Sequence, residues 1–157
     1  MSSRNKKNYY QDDDSKSDCS NNIINNEKYN SKIMVLDDDF DIATIVKMAL
    51  QRNGFKNVSV FTESSLAIKE FRESHNNYSL VISDIRMPGM DGFEFANYIN
   101  EIKPGIKVIL MTAFDVNKNL LTENMKSTAN KNNIIQIIQK PISPKKLAKT
   151  VFSLRIN

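Results

Sequence analysis

From Lys32 onward the chain alternates short apolar runs with stretches whose apolar residues recur at helical spacing. Lys32-Ile33-Met34-Val35-Leu36 is a continuous run stopped by Asp37-Asp38-Asp39, the pattern of a strand buried on both faces. Ile42, Ile45, Val46, Ala49 and Leu50 then fall at i, i+3, i+4, i+7 and i+8. They form one helical stripe, opened by aspartates suited to an N-cap and closed at Gly54. Val58-Ser59-Val60-Phe61 predicts a second strand, and Ser64 or Ser65 starts a second helix with Leu66, Ala67 and Phe71 inward. Tyr78 to Ser83 predicts a third strand ending at Asp84, followed by the turn-rich loop Met87-Pro88-Gly89-Met90-Asp91-Gly92.

The alternation continues to the end of the chain. A helix from about Phe93 to Ile102 places Phe93, Ala96 and Ile99 on one side, and Pro104-Gly105 breaks it. Lys107 to Met111 is a strand ending at Thr112, and Ile134 to Gln139 is a strand ending at Lys140-Pro141. Between them, residues 117–133 are Asn-rich and weakly patterned, with a helix expected near 118–127. The last helix takes Ser143 as N-cap and Pro144 at its first position, with Leu147, Ala148, Val151 and Leu154 inward. Five apolar strands alternating with five helices, with no Asn-Gly hairpin between them, predict an α/β fold: a doubly wound parallel sheet with helices on both faces.

Residues 1–31 differ in kind. Asn, Ser, Asp and Lys dominate, and Ile23 and Ile24 are the only aliphatic residues beyond Met1. That is too little apolar surface to offset the entropy of ordering, so a disordered polar tail is expected, with the folded domain at 32–157. The single cysteine, Cys19, lies in this tail and cannot form an internal disulfide. No run is long enough for a signal-peptide core or a membrane span, so a cytoplasmic location is expected.

Charge is unevenly placed. The tail is neutral; residues 32–102 carry seven basic against eleven acidic groups, and residues 103–157 carry ten basic groups against Asp115 and Glu123. A basic C-terminal half suits an acidic partner. His75, the only histidine, sits in the polar stretch Glu73-Ser74-His75-Asn76-Asn77 and is expected to be an exposed loop residue.

In an open parallel sheet, chemistry collects in the crevice beyond the carboxyl ends of the strands. Here those ends carry Asp37 and Asp38, Asp84, Thr112 and Lys140, from four separate parts of the chain. Three carboxylates about 5 Å apart repel by about 3 kcal/mol per pair at an effective dielectric of about 20. They must separate, shift their pKa or hold a cation. An oxygen-only cluster without His or Cys suits Mg²⁺, with Asp37 and Asp38 as ligands. Asp84 can be part ligand and part nucleophile toward a phosphoryl group. Lys140 offers a point charge and Thr112 a hydroxyl to the phosphoryl oxygens. Asp39 and Asp41 fit a capping or turn role better than a chemical one.

These residues carry a resemblance. Val35-Leu36-Asp37-Asp38-Asp39, Ile82-Ser83-Asp84-Ile85-Arg86-Met87-Pro88-Gly89-Met90-Asp91-Gly92, Leu110-Met111-Thr112-Ala113 and Lys140-Pro141 together resemble the receiver domain of two-component response regulators, over about residues 32–157. The resemblance implies a flavodoxin-like fold with strand order 2-1-3-4-5. It implies Asp84 as the residue phosphorylated from the phospho-His of a histidine kinase, and Mg²⁺ held by Asp37, Asp38, Asp84 and the main-chain carbonyl of Arg86. Thr112 would be the switch hydroxyl and Lys140 the phosphate contact, before a cis Pro141. Such domains signal rather than turn over a substrate. The implied partners are a sensor histidine kinase or a histidine phosphotransfer protein, and a downstream protein reached through the basic C-terminal half.

The sequence departs from that family in two places. Ile137 stands three residues before the lysine, where receivers usually carry an aromatic ring, and the stretch from Thr112 to Lys140 is several residues longer than usual. A weaker or differently routed switch is expected. Because the chain ends directly after the last predicted helix, a stand-alone receiver is expected. Two other readings stay open: a haloacid-dehalogenase-like phosphohydrolase with Asp37 as nucleophile and Asp39 completing an Asp-x-Asp, and a non-phosphorylated interaction module using the basic C-terminal half. DNA binding is not expected, because no reading helix or aromatic platform is visible.

Overall fold

The structure is a computed structural model, which describes residues 32–114 and 133–154. The polar tail with Cys19 and the helix expected near 118–127 lie outside the described residues. Five strands are present: β1 (Lys32–Leu36), β2 (Val58–Phe61), β3 (Tyr78–Asp84), β4 (Lys107–Thr112) and β5 (Ile134–Gln139). They form one sheet in the order β2-β1-β3-β4-β5, and every pairing is parallel. The described helices are α1 (Phe40–Arg52), α2 (Ser64–Ser74), α3 (Gly92–Ile102) and α4 (Pro144–Ser153), with a 3-10 turn at His75–Asn77.

Alternation along the strands divides the core in two. Ile33 and Val35 on β1, with Leu80 and Ile82 on β3, face Ala43, Val46 and Leu50 of α1 and Leu147 and Val151 of α4. Met34 and Leu36, with Val81, face Ala67 and Phe71 of α2 and Phe93, Ala96 and Ile99 of α3. The sheet is therefore covered on both sides, as its unbroken apolar strands require. Helix starts follow local chemistry. Asp39 caps α1 by accepting from the Asp41 and Ile42 amides. Asp91 and Glu94 form a capping box on α3, and Ser143 caps α4 ahead of Pro144.

Three expectations need correction. Ile45 and Leu66 are 58% and 52% exposed rather than inward. The buried face of α1 runs through Ala43, Val46, Ala49 and Leu50, and that of α2 through Ala67 and Phe71. Small Ala43, Ala49 and Ala67 let each helix settle close to the sheet, and neighbouring residues lie about 100° away around the axis, which turns Ile45 and Leu66 outward. His75 is half-buried rather than a freely exposed loop residue; its carbonyl accepts from Lys103 Nζ at 3.2 Å.

Candidate functional site

Parallel pairing puts the carboxyl ends of all five strands at one edge of the sheet. Asp37 follows β1, Asp84 and Thr112 end β3 and β4, and Lys140 follows β5. The structure brings them together. Lys140 Nζ lies 2.6 Å from Asp37 Oδ2 and 2.7 Å from Asp84 Oδ1. One carboxylate oxygen from each of Asp37, Asp38 and Asp84 lies within 4.8 Å of the other two. Asp37 and Asp84 are buried and Asp38 is exposed, so the cluster has a floor of two carboxylates and one at its rim.

Backbone amides aim the buried carboxylates. Asp37 Oδ1 accepts from the Asp39 amide at 3.2 Å, and Asp84 Oδ2 accepts from the Arg86 amide at 2.9 Å. Each buried carboxylate thus has one oxygen on a backbone N–H and the other on the Lys140 ammonium. Thr112 is buried, its Oγ1 accepting from the Phe114 amide at 3.1 Å. Its carbonyl accepts from the Lys140 amide at 2.6 Å, tying the ends of β4 and β5 together. The Lys140–Pro141 peptide is cis, as the resemblance implies.

The electrostatics follow from burial and pairing. Burial pushes the Asp37 carboxyl above its ordinary value of 3.8, and the Asp84 charge adds to this, against the opposing pull of Lys140 and the Asp39 amide. Burial alone would lower Lys140, but its hydrogen bonds to Asp37 and Asp84, and their charges, hold it above 10.5. One ammonium faces two buried carboxylates and a third at the rim, leaving a local excess of negative charge. Hard oxygen donors within 4.8 Å of one another fit a small divalent cation.

The sequence did not show Phe114 as a neighbour of the site, nor the contacts that the Arg86 side chain and Gly92 make there. The Arg86 guanidinium stacks on the exposed Phe114 ring at 4.3 Å, joining the loops after β3 and β4. Gly92 abuts the other side: a Cβ there would lie 2.3 Å from the Asp84 carbonyl oxygen. The Arg86–Phe114 link joins two different strand ends and carries no local mark, whereas Gly92 closes the turn-rich loop that follows Asp84 in the sequence. The Asp-x-Asp reading loses its second acid, because Asp39 spends its carboxylate capping α1.

Known proteins resemble this chain in sequence and fold. The family model described as the response regulator receiver domain matches residues 33–152. The chain is 34% identical over 83 residues to the response regulator receiver protein CpdR of Brucella abortus, covering 53% of this chain and 67% of that one. It is 35% identical over 85 residues to the transcriptional regulatory protein ZraR of Escherichia coli, covering 54% of this chain but 19% of that one. The two-component response regulator ARR14 of Arabidopsis thaliana is 30% identical over 81 residues, with 52% and 21% covered. The chain thus spans about two thirds of one of these relatives and about a fifth of the other two. Among solved structures, a response regulator receiver domain protein from Clostridium thermocellum superposes with a TM-score of 0.68 at 28% identity, covering 81% of this chain and 94% of that one. The Francisella response regulator 1452 receiver domain gives 0.65 at 28% identity, with 80% and 97% covered. Family match, strand order and the crevice at the strand ends agree: the chain belongs to the response regulator receiver domain family.

Proposed function

We propose that Asp84 accepts a phosphoryl group from the phospho-His of a sensor histidine kinase or a histidine phosphotransfer protein, with Mg²⁺ bound, and that the modification switches partner binding or passes phosphate onward. The observation that carries this reading is the Lys140 ammonium standing between Asp37 and Asp84 at 2.6 and 2.7 Å. It supports the reading as a cation within hydrogen-bond reach of the carboxylate that would carry the phosphoryl group.

A carboxylate oxygen of Asp84 attacks phosphorus as the P–N bond to the donor histidine breaks, its electron pair returning to the imidazole nitrogen; an acyl phosphate results. The Arg86 amide on Oδ2 orients the carboxylate for this attack. Lys140 exchanges its bond to Asp84 Oδ1 for one to the new phosphoryl oxygens. Asp37, Asp38, Asp84 and the main-chain carbonyl of Arg86 would hold Mg²⁺, which when bound would supply neutralising charge for the phosphoryl oxygens.

The switch is carried by Thr112, whose hydroxyl trades its local bond with the Phe114 amide for a phosphoryl oxygen. Such a trade biases a pre-existing alternative of the loop after β4. One charge-assisted bond is worth about 1.5–3 kcal/mol, while moving an equilibrium from 1:99 to 99:1 takes about 5.5 kcal/mol. Ile137, half-buried on β5 against the α2–α3 core, has no ring to turn inward, so the switch is weaker or takes another route. The exposed lysines of α4, Lys145, Lys146 and Lys149, offer the downstream partner a basic face, and a cytoplasmic site of action fits the kinase partner. No described helix is long and apolar enough to cross a membrane.

Incubation of the chain with acetyl phosphate and Mg²⁺, followed by intact mass, tests the reading. The expected product gains one phosphoryl group, which Asp84→Asn abolishes. Label retained in Asp84→Asn and lost in Asp37→Asn would instead establish the phosphohydrolase-like chemistry.

A further inference from the structure

At the opposite edge of the sheet, the amino ends of β1 and β2 open onto a cavity of about 570 Å³ lined by Lys32, Lys47, Gln51, Lys56, Ser59 and Asn77, among others. β1 supplies Lys32 as its first residue, and five strand steps of about 3.3 Å separate it from Asp37, so roughly 17 Å divides this cavity from the acidic crevice. Residues 32–102 hold seven basic and eleven acidic groups. Three of those basic groups line the cavity and none of the acidic ones do.

The three lysines are not equivalent. Lys32 is committed: its Nζ lies 2.7 Å from Glu70 Oε1 and 4.5 Å above the buried Tyr78 ring, and the Tyr78 hydroxyl donates to the same Glu70 oxygen at 3.0 Å. This network fixes one wall. The Lys47 and Lys56 ammonium groups make no hydrogen bond or ion pair among the described residues. Lys47 is half-buried on α1, one turn from Gln51 and on the same face, while Lys56 stands exposed just before β2.

We propose that this cavity binds a small phosphate-bearing anion through Lys47 and Lys56. With Lys32 paired to Glu70, Lys47 and Lys56 line the cavity without an acidic lining residue, and an anion with several oxygens can accept charge-assisted hydrogen bonds from both. Gln51 and Asn77 supply neutral donors around the same space. The volume falls in the range of small-ligand sites, and the polar lining selects a charged guest over an apolar one. The distance from Asp84 makes this a second anion site, separate from phosphoryl acceptance.

Backbone amide NMR of the full chain, titrated with inorganic pyrophosphate in the absence of Mg²⁺, tests the proposal. Shifts are expected to cluster at Lys47, Gln51, Lys56 and Ser59. The double variant Lys47→Gln/Lys56→Gln is expected to weaken binding about tenfold or more, the loss of one to two charge-assisted contacts. The control Lys145→Gln/Lys149→Gln, with the same change in charge on α4, is expected to leave it unaltered. Equal weakening in both variants, shifts confined to Asp84 and Lys140, or no shifts at all would each overturn it.

Discussion

Lys140 Nζ stands 2.7 Å from Asp84 Oδ1 and holds that carboxylate in a buried ion pair that also includes Asp37. Replacing the lysine strands two buried carboxylates without their cation. Lys140→Met is therefore expected to lower stability by about 3 kcal/mol, the lower end for breaking a buried pair, since the lysine keeps some exposure. With its competitor for carboxylate oxygens removed, Mg²⁺ is expected to bind more tightly, while phosphoryl acceptance falls. Urea unfolding with and without Mg²⁺ measures the first effect and metal titration the second.

The pH dependence of that pair has a definite sign. Lys140 is raised above its ordinary 10.5 in the fold. Its contribution to stability is thus complete below 10.5 and lost as pH rises through the folded value. Asp37 is raised above 3.8. The folded state therefore holds that proton more tightly than the unfolded chain, and metal-free stability falls as pH climbs from 3.8 through the folded value. Cation binding needs Asp37 ionised, so Mg²⁺ affinity is expected to drop as pH descends through the same window, with proton uptake. Metal titrations across pH, in wild type and in Asp37→Asn, check this; an affinity that does not vary with pH contradicts it.

Two glycines separate steric from conformational cost. A Cβ on Gly92 would meet the Asp84 carbonyl oxygen at 2.3 Å, whereas Gly89, at φ +81°, has nothing within 4 Å. Gly89→Ala is expected to cost about 1–2 kcal/mol, the strain of a left-handed alanine. Gly92→Ala is expected to exceed that and to slow phosphoryl acceptance, because the start of α3 must back away from Asp84, the proposed acceptor. Thermal melts and labelling rates of the two variants make the comparison.

Thr112 is separable from the chemistry. Its hydroxyl accepts from the Phe114 amide at 3.1 Å and makes no hydrogen bond to the Asp84 carboxylate among the described residues. Thr112→Ala is expected to lose about 1 kcal/mol of stability, to accept label still, and to lose most of the label-dependent change in structure. Thr112→Ser is expected to restore it. Amide NMR before and after acetyl phosphate reads both.

Much of this was legible in the chain because strand ends and the parallel sheet are local signals. Uninterrupted apolar runs marked β1, β3 and β4, and the residue after each run fell at the crevice. The helix faces were less legible, since pattern reading weights large side chains. Ile45 and Leu66 looked inward, yet Ala43 and Ala67 make the contact because the sheet demands close approach. Within the site, the sequence set Asp39 apart as a cap but did not separate Asp37 from Asp38. Burial of Asp37, exposure of Asp38 and capping by Asp39 depend on where α1 begins. The reach of Lys140 to Asp37 spans 103 residues and carries no local mark.

Phosphoryl acceptance at Asp84 is tested most directly by trapping the bond itself. After exposure to acetyl phosphate and Mg²⁺, borohydride reduction converts an acyl-phosphorylated aspartate to homoserine, and peptide mass mapping reports where. The result predicted is homoserine at position 84, and none when Mg²⁺ is withheld by chelation. Homoserine at position 37 or 38, or an unmodified Asp84 under full labelling, would contradict the account.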